Sequence, residues 1–195
     1  MSLLSKHAAA LLLTAIASLA AVSAQAAQPK TAGDAPAQKV SMLGGKFLFT
    51  LPKGFIATPL PAGDAAQGTA GATGTMYSNA TSRTVVIAAE NTIINGAKVK
   101  DDDGAFLDAT MGDFAAQRTT ALPDAKILSA KGLTQKGTGL GLRQLDTSAT
   151  QGGGPTLDTT LLAASGTRMA VVQVISRASD KAGHEALVKQ IASGQ

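Results

Sequence analysis

The sequence predicts an α+β domain, a largely antiparallel sheet with helices packed on it. Apolar and β-branched runs of strand length follow one another through the chain in the order strands, helix, strands, helix. Two of these runs, Thr156–Ala164 and Thr167–Ser176, are separated only by Ser165-Gly166, which is hairpin spacing. Helical spacing of apolar residues is confined to Gly104–Thr119 and to about Asp180–Ala192.

The elements can be justified in turn. In Gly45–Leu51, Phe47, Phe49 and Leu51 alternate with Leu48 and Thr50, and Pro52 ends the run. Phe55 and Ile56 extend the sheet beyond a Lys53-Gly54 turn. Residues Pro61–Gly74 are small and Gly-rich, the composition of a long mobile loop. Thr75–Ser78 is a short strand, Asn79–Ser82 a polar turn, and Thr84–Ala88 a continuous β-branched run that reads as a buried strand. In the first helix Asp103 is placed to cap the free N–H groups, and Leu107, Met111 and Phe114 form one stripe. Arg118 falls in the last turn, where a cation suits the carbonyl end, and Pro123 lies beyond. Ala125–Ala130 and Gly139–Ser148 read as strands and Gly152–Pro155 as a loop before the hairpin. In the last helix Ala182, Leu187, Val188 and Ile191 share one side.

The N-terminus has the pattern of a secretory signal. Lys6 precedes an apolar run, Ala8–Val22, followed by Ser23-Ala24-Gln25-Ala26. Ala24 and Ala26 fit the small-residue rule, so cleavage before Ala27 is expected, with cleavage after Ala24 as second choice. A spanning helix needs about 20 apolar residues, more than this run supplies. The expected organisation is a signal peptide at 1–26, a flexible linker at 27–41 and one domain at 42–195. Of 195 residues none is Cys, which excludes thiolate chemistry, disulfides and a lipid anchor on cysteine. The net charge, +4 for the whole chain, is too small to imply a polyanionic partner.

No motif for chemistry is complete. His184-Glu185-Ala186-Leu187-Val188 begins like a zinc-protease helix, but Val188 stands where the second ligand belongs. His184 therefore reads as a residue on an exposed helix face. Asp101-Asp102-Asp103-Gly104 lacks carboxylates at the first and twelfth calcium-loop positions, occupied by Val99 and Thr110. Gly132–Gly137 has phosphate-loop glycine spacing without the lysine or the following helix. The motifs G-x-S-x-G and S-x-x-K are absent. The six aromatics of the domain, Phe47, Phe49, Phe55, Tyr77, Phe106 and Phe114, are nearly all needed for the core, and no basic stripe accompanies them, so nucleic acid is not an expected partner. No catalytic residue, cofactor or metal is expected.

Several strings resemble the DcrB family of bacterial envelope proteins. They are Leu43–Pro52, Thr84–Ile87, Ala116-Gln117-Arg118, Arg143–Thr147 and the hairpin Leu161–Ile175, together spanning about residues 42–193. The resemblance implies a PsbP-like fold, an α/β/α sandwich with a mostly antiparallel central sheet flanked by helices. It also implies a role in the cell envelope, with family links to phage sensitivity, and carries over no catalytic residue. The chain departs from the family in lacking a lipidated Cys near the N-terminus, and its 61–74 loop is expanded.

These readings converge on a periplasmic, non-enzymatic accessory protein of a Gram-negative envelope. It would bind an envelope protein and have at most transient contact with the membrane. Two alternatives stay open. A deep apolar pocket between sheet and helix would mark a small-ligand binding module. A convergent carboxylate pair would mark a hydrolase built from scattered Asp, Ser and Thr. The expected interaction surface is the loop 61–74 and the turn 150–155, with Tyr77 and Arg83 as anchors.

Overall fold

The computed structural model describes residues 35–64, 70–93 and 96–195. The signal run, the cleavage residues Ala24, Ala26 and Ala27, and the first part of the expected linker lie outside these residues.

A seven-stranded antiparallel sheet forms the centre. Its strands are β3 (Ile56–Pro59), β4 (Thr73–Asn79), β5 (Thr84–Thr92), β6 (Lys126–Thr134), β7 (Gly141–Gln151), β8 (Gly154–Ser165) and β9 (Arg168–Arg177), in the order β3-β4-β5-β9-β8-β7-β6. A separate hairpin, β1 (Gln38–Met42) with β2 (Phe47–Leu51), and two helices, α1 (Gly104–Ala121) and α2 (Lys181–Ser193), complete the fold. β8 and β9 are central, and Leu161–Ala164 and Met169–Val174 are buried on both faces. That explains why these strands read as continuous apolar runs rather than alternating ones.

The two faces are covered differently. On one, α1 packs Leu107, Met111 and Phe114 against Ile87, Leu145, Leu162 and Val171. On the other, α2 and the β1–β2 hairpin share the cover, with Phe47, Phe49, Leu51, Leu187 and Ile191 in one cluster over Leu161, Val172 and Val174. The layers are thus helix, sheet, and helix with hairpin, so the expected α/β/α sandwich is replaced on one face by a mixed layer.

Several expectations are corrected. Residues 38–41, assigned to a linker, form most of β1, with Val40 and Met42 turned into the core and paired to Phe49 and Phe47. The 61–74 loop is narrower than its composition suggests. Thr73 and Gly74 belong to β4, and Leu60 N–H donates to Gly74 O at 3.0 Å. The Gly152–Pro155 loop is a two-residue turn, because Gly154 and Pro155 already pair with Gln151 and Thr150. Gly152 and Gly153 carry positive φ of 55° and 81°, which the twist of a tight hairpin requires. At Gly141 a Cβ would lie 3.1 Å from Asp102 Cα, so any larger residue would push the acidic turn away from β7 by a few tenths of an ångström.

That turn is tied down rather than merely solvated. Asp103 Oδ1 accepts from Phe106 N–H at 3.1 Å, the expected cap. Asp101 accepts from Lys46 Nζ at 2.7 Å and from Ser165 Oγ at 2.6 Å. The bond from Lys46, with that from Ser165, holds the Asp101 carboxyl below the usual aspartate range.

Arg118 does not serve the helix end in solvent. It is 6% exposed, and its Nη2 donates to Asp158 Oδ2 at 2.6 Å beneath α1. Gln173 Nε2 donates to the same oxygen at 2.7 Å. Burial pushes the Asp158 carboxyl up to about 6, although Arg118, Gln173 and Thr160 all pull it down.

Candidate functional site

The site arises from incomplete cover of the sheet. α2 crosses β8 and β9 and rests on β2, leaving the same face of β6 and β7 without helix cover. Between α2 and this strip runs a groove of about 630 Å³. Asp180 fixes the start of α2 by accepting from Gly183 N–H at 3.1 Å, and Gly194, with φ of 77°, ends it. Leu128, Leu133, Leu157 and Val188 give the groove its apolar surface. Leu128 sits at a β-bulge of β6 and is 56% exposed.

The floor is polar and internally bonded. Alternation on β7 places Gln144 and Asp146 on the groove side. Asp146 accepts from Ser129 Oγ, from Thr159 Oγ1 at 2.6 Å and from Gln144 Nε2 at 2.8 and 2.9 Å. Burial pushes the Asp146 carboxyl up. The bonds from Ser129, Thr159 and Gln144, with Lys131 nearby, outweigh that and hold it below the usual aspartate range. Because the Thr159 hydroxyl gives its hydrogen to Asp146, it accepts from His184 Nε2–H, 2.9 Å away. His184 Nδ1 lies 3.1 Å from Ser176 Oγ. His184 is thus a 5%-exposed residue joining helix to sheet, not the exposed one its sequence context suggests. It takes the inward place expected for Ala182, which is exposed.

Burial lowers the His184 pKa from its ordinary value, with Asp146, Glu185 and Asp180 pulling the other way. The unfolded chain therefore takes up a proton on His184 at a higher pH than the folded one. The stability this residue contributes is present above the ordinary histidine pKa and falls as pH drops toward the folded value. The ring-proton NMR titration of His184 should have its midpoint below 6.5, the ordinary value. A midpoint above it would contradict the buried placement.

Lysines ring the groove. Lys181 lies 3.6 Å from Glu185 in an i,i+4 pair. Lys131, Lys136 and Lys189 line the same groove and, among the described residues, make no ion pair. The groove therefore combines apolar walls, a satisfied polar floor and a positive rim. Among the described residues no group of three or more His, Asp or Glu side chains could hold a metal ion. No helix among them is long and apolar enough to cross a membrane.

The anchors expected from sequence do not form one surface. Tyr77 is 9% exposed and belongs to the core cluster with Val86, because β4 turns it inward opposite that residue. It therefore does not join Arg83 as an exposed contact. Arg83 is exposed in the β4–β5 turn, with φ of 51°. The turn at 150–155 is held by Arg177, whose Nη2 donates to Gly152 O at 2.7 Å. The groove residues escape motif reasoning because they come from β6, β7, β8 and α2. Their one signal in the sequence is polar Gln144, Asp146 and Ser148 alternating with Leu145, Thr147 and Ala149 along β7, next to the edge strand, which marks a face without full cover.

No family model and no curated protein matches the chain. Among solved structures it is similar to cyanobacterial PsbP (CyanoP) from Synechocystis, at 13% identity and a TM-score of 0.48, over 84% of this chain and 96% of that one. It is also similar to a Pseudomonas aeruginosa protein of unknown function described as a putative regulator, at 13% identity and a TM-score of 0.39, over 80% of this chain and 92% of that one. At such identity nothing about activity passes from either protein to this chain.

Proposed function

We propose that this chain is an exported, non-enzymatic accessory protein of the bacterial envelope, of the DcrB type, and that it works by binding a partner in the groove beside α2. The observation that carries the reading is the groove itself, with apolar walls and unpaired lysines above a floor whose hydrogen bonds are already made. A floor satisfied internally asks nothing polar of its occupant and keeps its own shape when empty.

The floor is a poor reaction centre. A hydroxyl nucleophile must give its proton to the histidine, whereas the Thr159 hydroxyl gives its proton to Asp146 and receives one from His184. Thr159 is also only 1% exposed. Binding of a small ligand is the second reading, favoured by a groove volume inside the range of about 300–1,000 Å³ typical of ligand sites.

The test is site-specific photo-cross-linking in the producing cell. A photoreactive side chain at Leu128 or Lys189 should give an adduct of one defined mass, and the same group at Arg83 or Pro155 should not. Adducts confined to Arg83 and Pro155 would remove the groove as the binding surface.

A further inference from the structure

We infer that the groove is built to hold an acidic, amphipathic helical segment of a partner protein, lying alongside α2; this rests on the groove being the binding surface. The strip without helix cover is two strands wide. Strands lie about 4.8 Å apart, so the strip is about 10 Å across, the diameter of one helix. Helices packed side by side sit about 8–10 Å apart, which places a second helix over β6 and β7 when α2 lies over β8 and β9. With 13 residues, α2 is about 20 Å long, so it offers about four turns of wall to such a neighbour.

The chemistry of the walls selects the occupant further. Leu128, Leu133, Leu157 and Val188 present an apolar track, the counterpart of an i, i+3, i+4 stripe. Around the groove the negative charges are already engaged, Asp146 of the floor by three hydrogen-bond donors and Glu185 of the rim by Lys181. Lys131, Lys136 and Lys189 are left to face the occupant, so carboxylates flanking its apolar stripe fit and cations do not. Addition of an extended strand to the β6 edge fits less well. The bulge between Ile127 and Ser129 breaks the pairing register, and Lys126 and Lys131 stand on that strand as edge guards.

The test uses three synthetic peptides of about four helical turns and the full exported chain. One carries Leu at i, i+3 and i+4 spacing with Glu on both flanks. The second has the same composition with two prolines in the middle. The third replaces every Glu by Lys. The first should gain helicity on binding and shift the backbone resonances of Leu128, Lys131, Val188 and Lys189. The other two should bind at least about tenfold more weakly, and added salt should weaken the first. Lys136→Glu with Lys189→Glu changes two exposed, unpaired side chains, so the fold should persist, as an unchanged melting temperature would show. That variant should lose about tenfold for the acidic peptide and gain for the basic one. Equal binding of all three peptides, or an acidic peptide indifferent to the double variant, would overturn the inference. Photo-adducts at Leu128 with no peptide bound would overturn it while leaving the groove as the binding surface. Loss of the adducts themselves would remove both.

Discussion

Replacing Arg118 with Met is expected to destabilise the fold by about 3–5 kcal/mol near neutral pH, because it leaves the Asp158 carboxyl buried without its cation. Asp158 is 1% exposed, and its Oδ2 holds both Arg118 and Gln173. The loss should depend on pH. In the native chain burial raises the Asp158 pKa from 3.8 to about 6. Its protonated form therefore favours folding, and that contribution, about 3 kcal/mol, is lost as pH rises from 3.8 to about 6. Without Arg118 the folded pKa rises further, so the variant should go on losing stability above pH 6 while the native chain levels off.

Urea unfolding at pH 5, 6.5 and 8 should show the gap between the two proteins widening with pH. A gap that stays constant or narrows would mean that Arg118 does not govern the carboxyl. Exchanging both partners, Arg118→Met with Asp158→Leu, removes the charged pair that has to be desolvated, along with its unpaired atoms Arg118 Nε and Nη1 and Asp158 Oδ1, but it leaves the buried Gln173 Nε2 without its acceptor. The double variant should therefore recover most of the Arg118→Met loss, and adding Gln173→Leu should bring the triple variant to neutral or better.

The elements legible in the sequence are those whose pattern is set locally. Phe47, Phe49 and Leu51 alternate because one face of β2 is buried, and the exposed Leu48 between them keeps the period. Asp103 announces α1 because a carboxylate ahead of an apolar stripe has one economical use, and Phe106 N–H takes it. The β8–β9 hairpin is visible because both strands are apolar on both faces, although its turn falls at Gly166-Thr167, one residue later than expected. What was not legible depends on partners distant in sequence. β1 offers only Val40 and Met42 as an apolar face and becomes a strand because β2 pairs with it. Whether Tyr77 faces in or out is settled by its register against Val86. A single polar residue in an apolar stripe is ambiguous by itself, so sequence context sets Arg118 at the helix end and His184 on an exposed face, whereas both are buried. Asp158 lies 40 positions from the first, and Thr159 and Ser176 lie 25 and 8 from the second. The groove itself is a lack of cover, and no residue pattern encodes what fails to pack on a face.

Phe114→Ala should remove about 3–5 kcal/mol of stability, the usual cost of emptying a buried aromatic site. Phe114 is 8% exposed and packs with Leu107 and Met111 against the sheet on the face opposite the groove. A domain holds only about 5–15 kcal/mol in total, so this one truncation consumes a large share of it. The melting temperature should fall by about 10 °C, taking about 2–4 °C per kcal/mol for a domain of this size. Phe114→Leu, which refills most of the volume, should recover more than half of the loss. His184→Ala provides the contrast. It removes no large apolar surface but leaves Thr159 and Ser176 short of a partner beneath α2, a cost of about 1–3 kcal/mol. The burial of His184 thus makes its loss measurable, where a residue on an exposed helix face would give almost none. Since the two residues lie on opposite faces of the sheet, their effects should add in the double variant. A Phe114→Ala loss no larger than that of His184→Ala would mean that α1 does not present this side chain to the sheet. Marked non-additivity would mean that the two faces are coupled through the central strands β8 and β9.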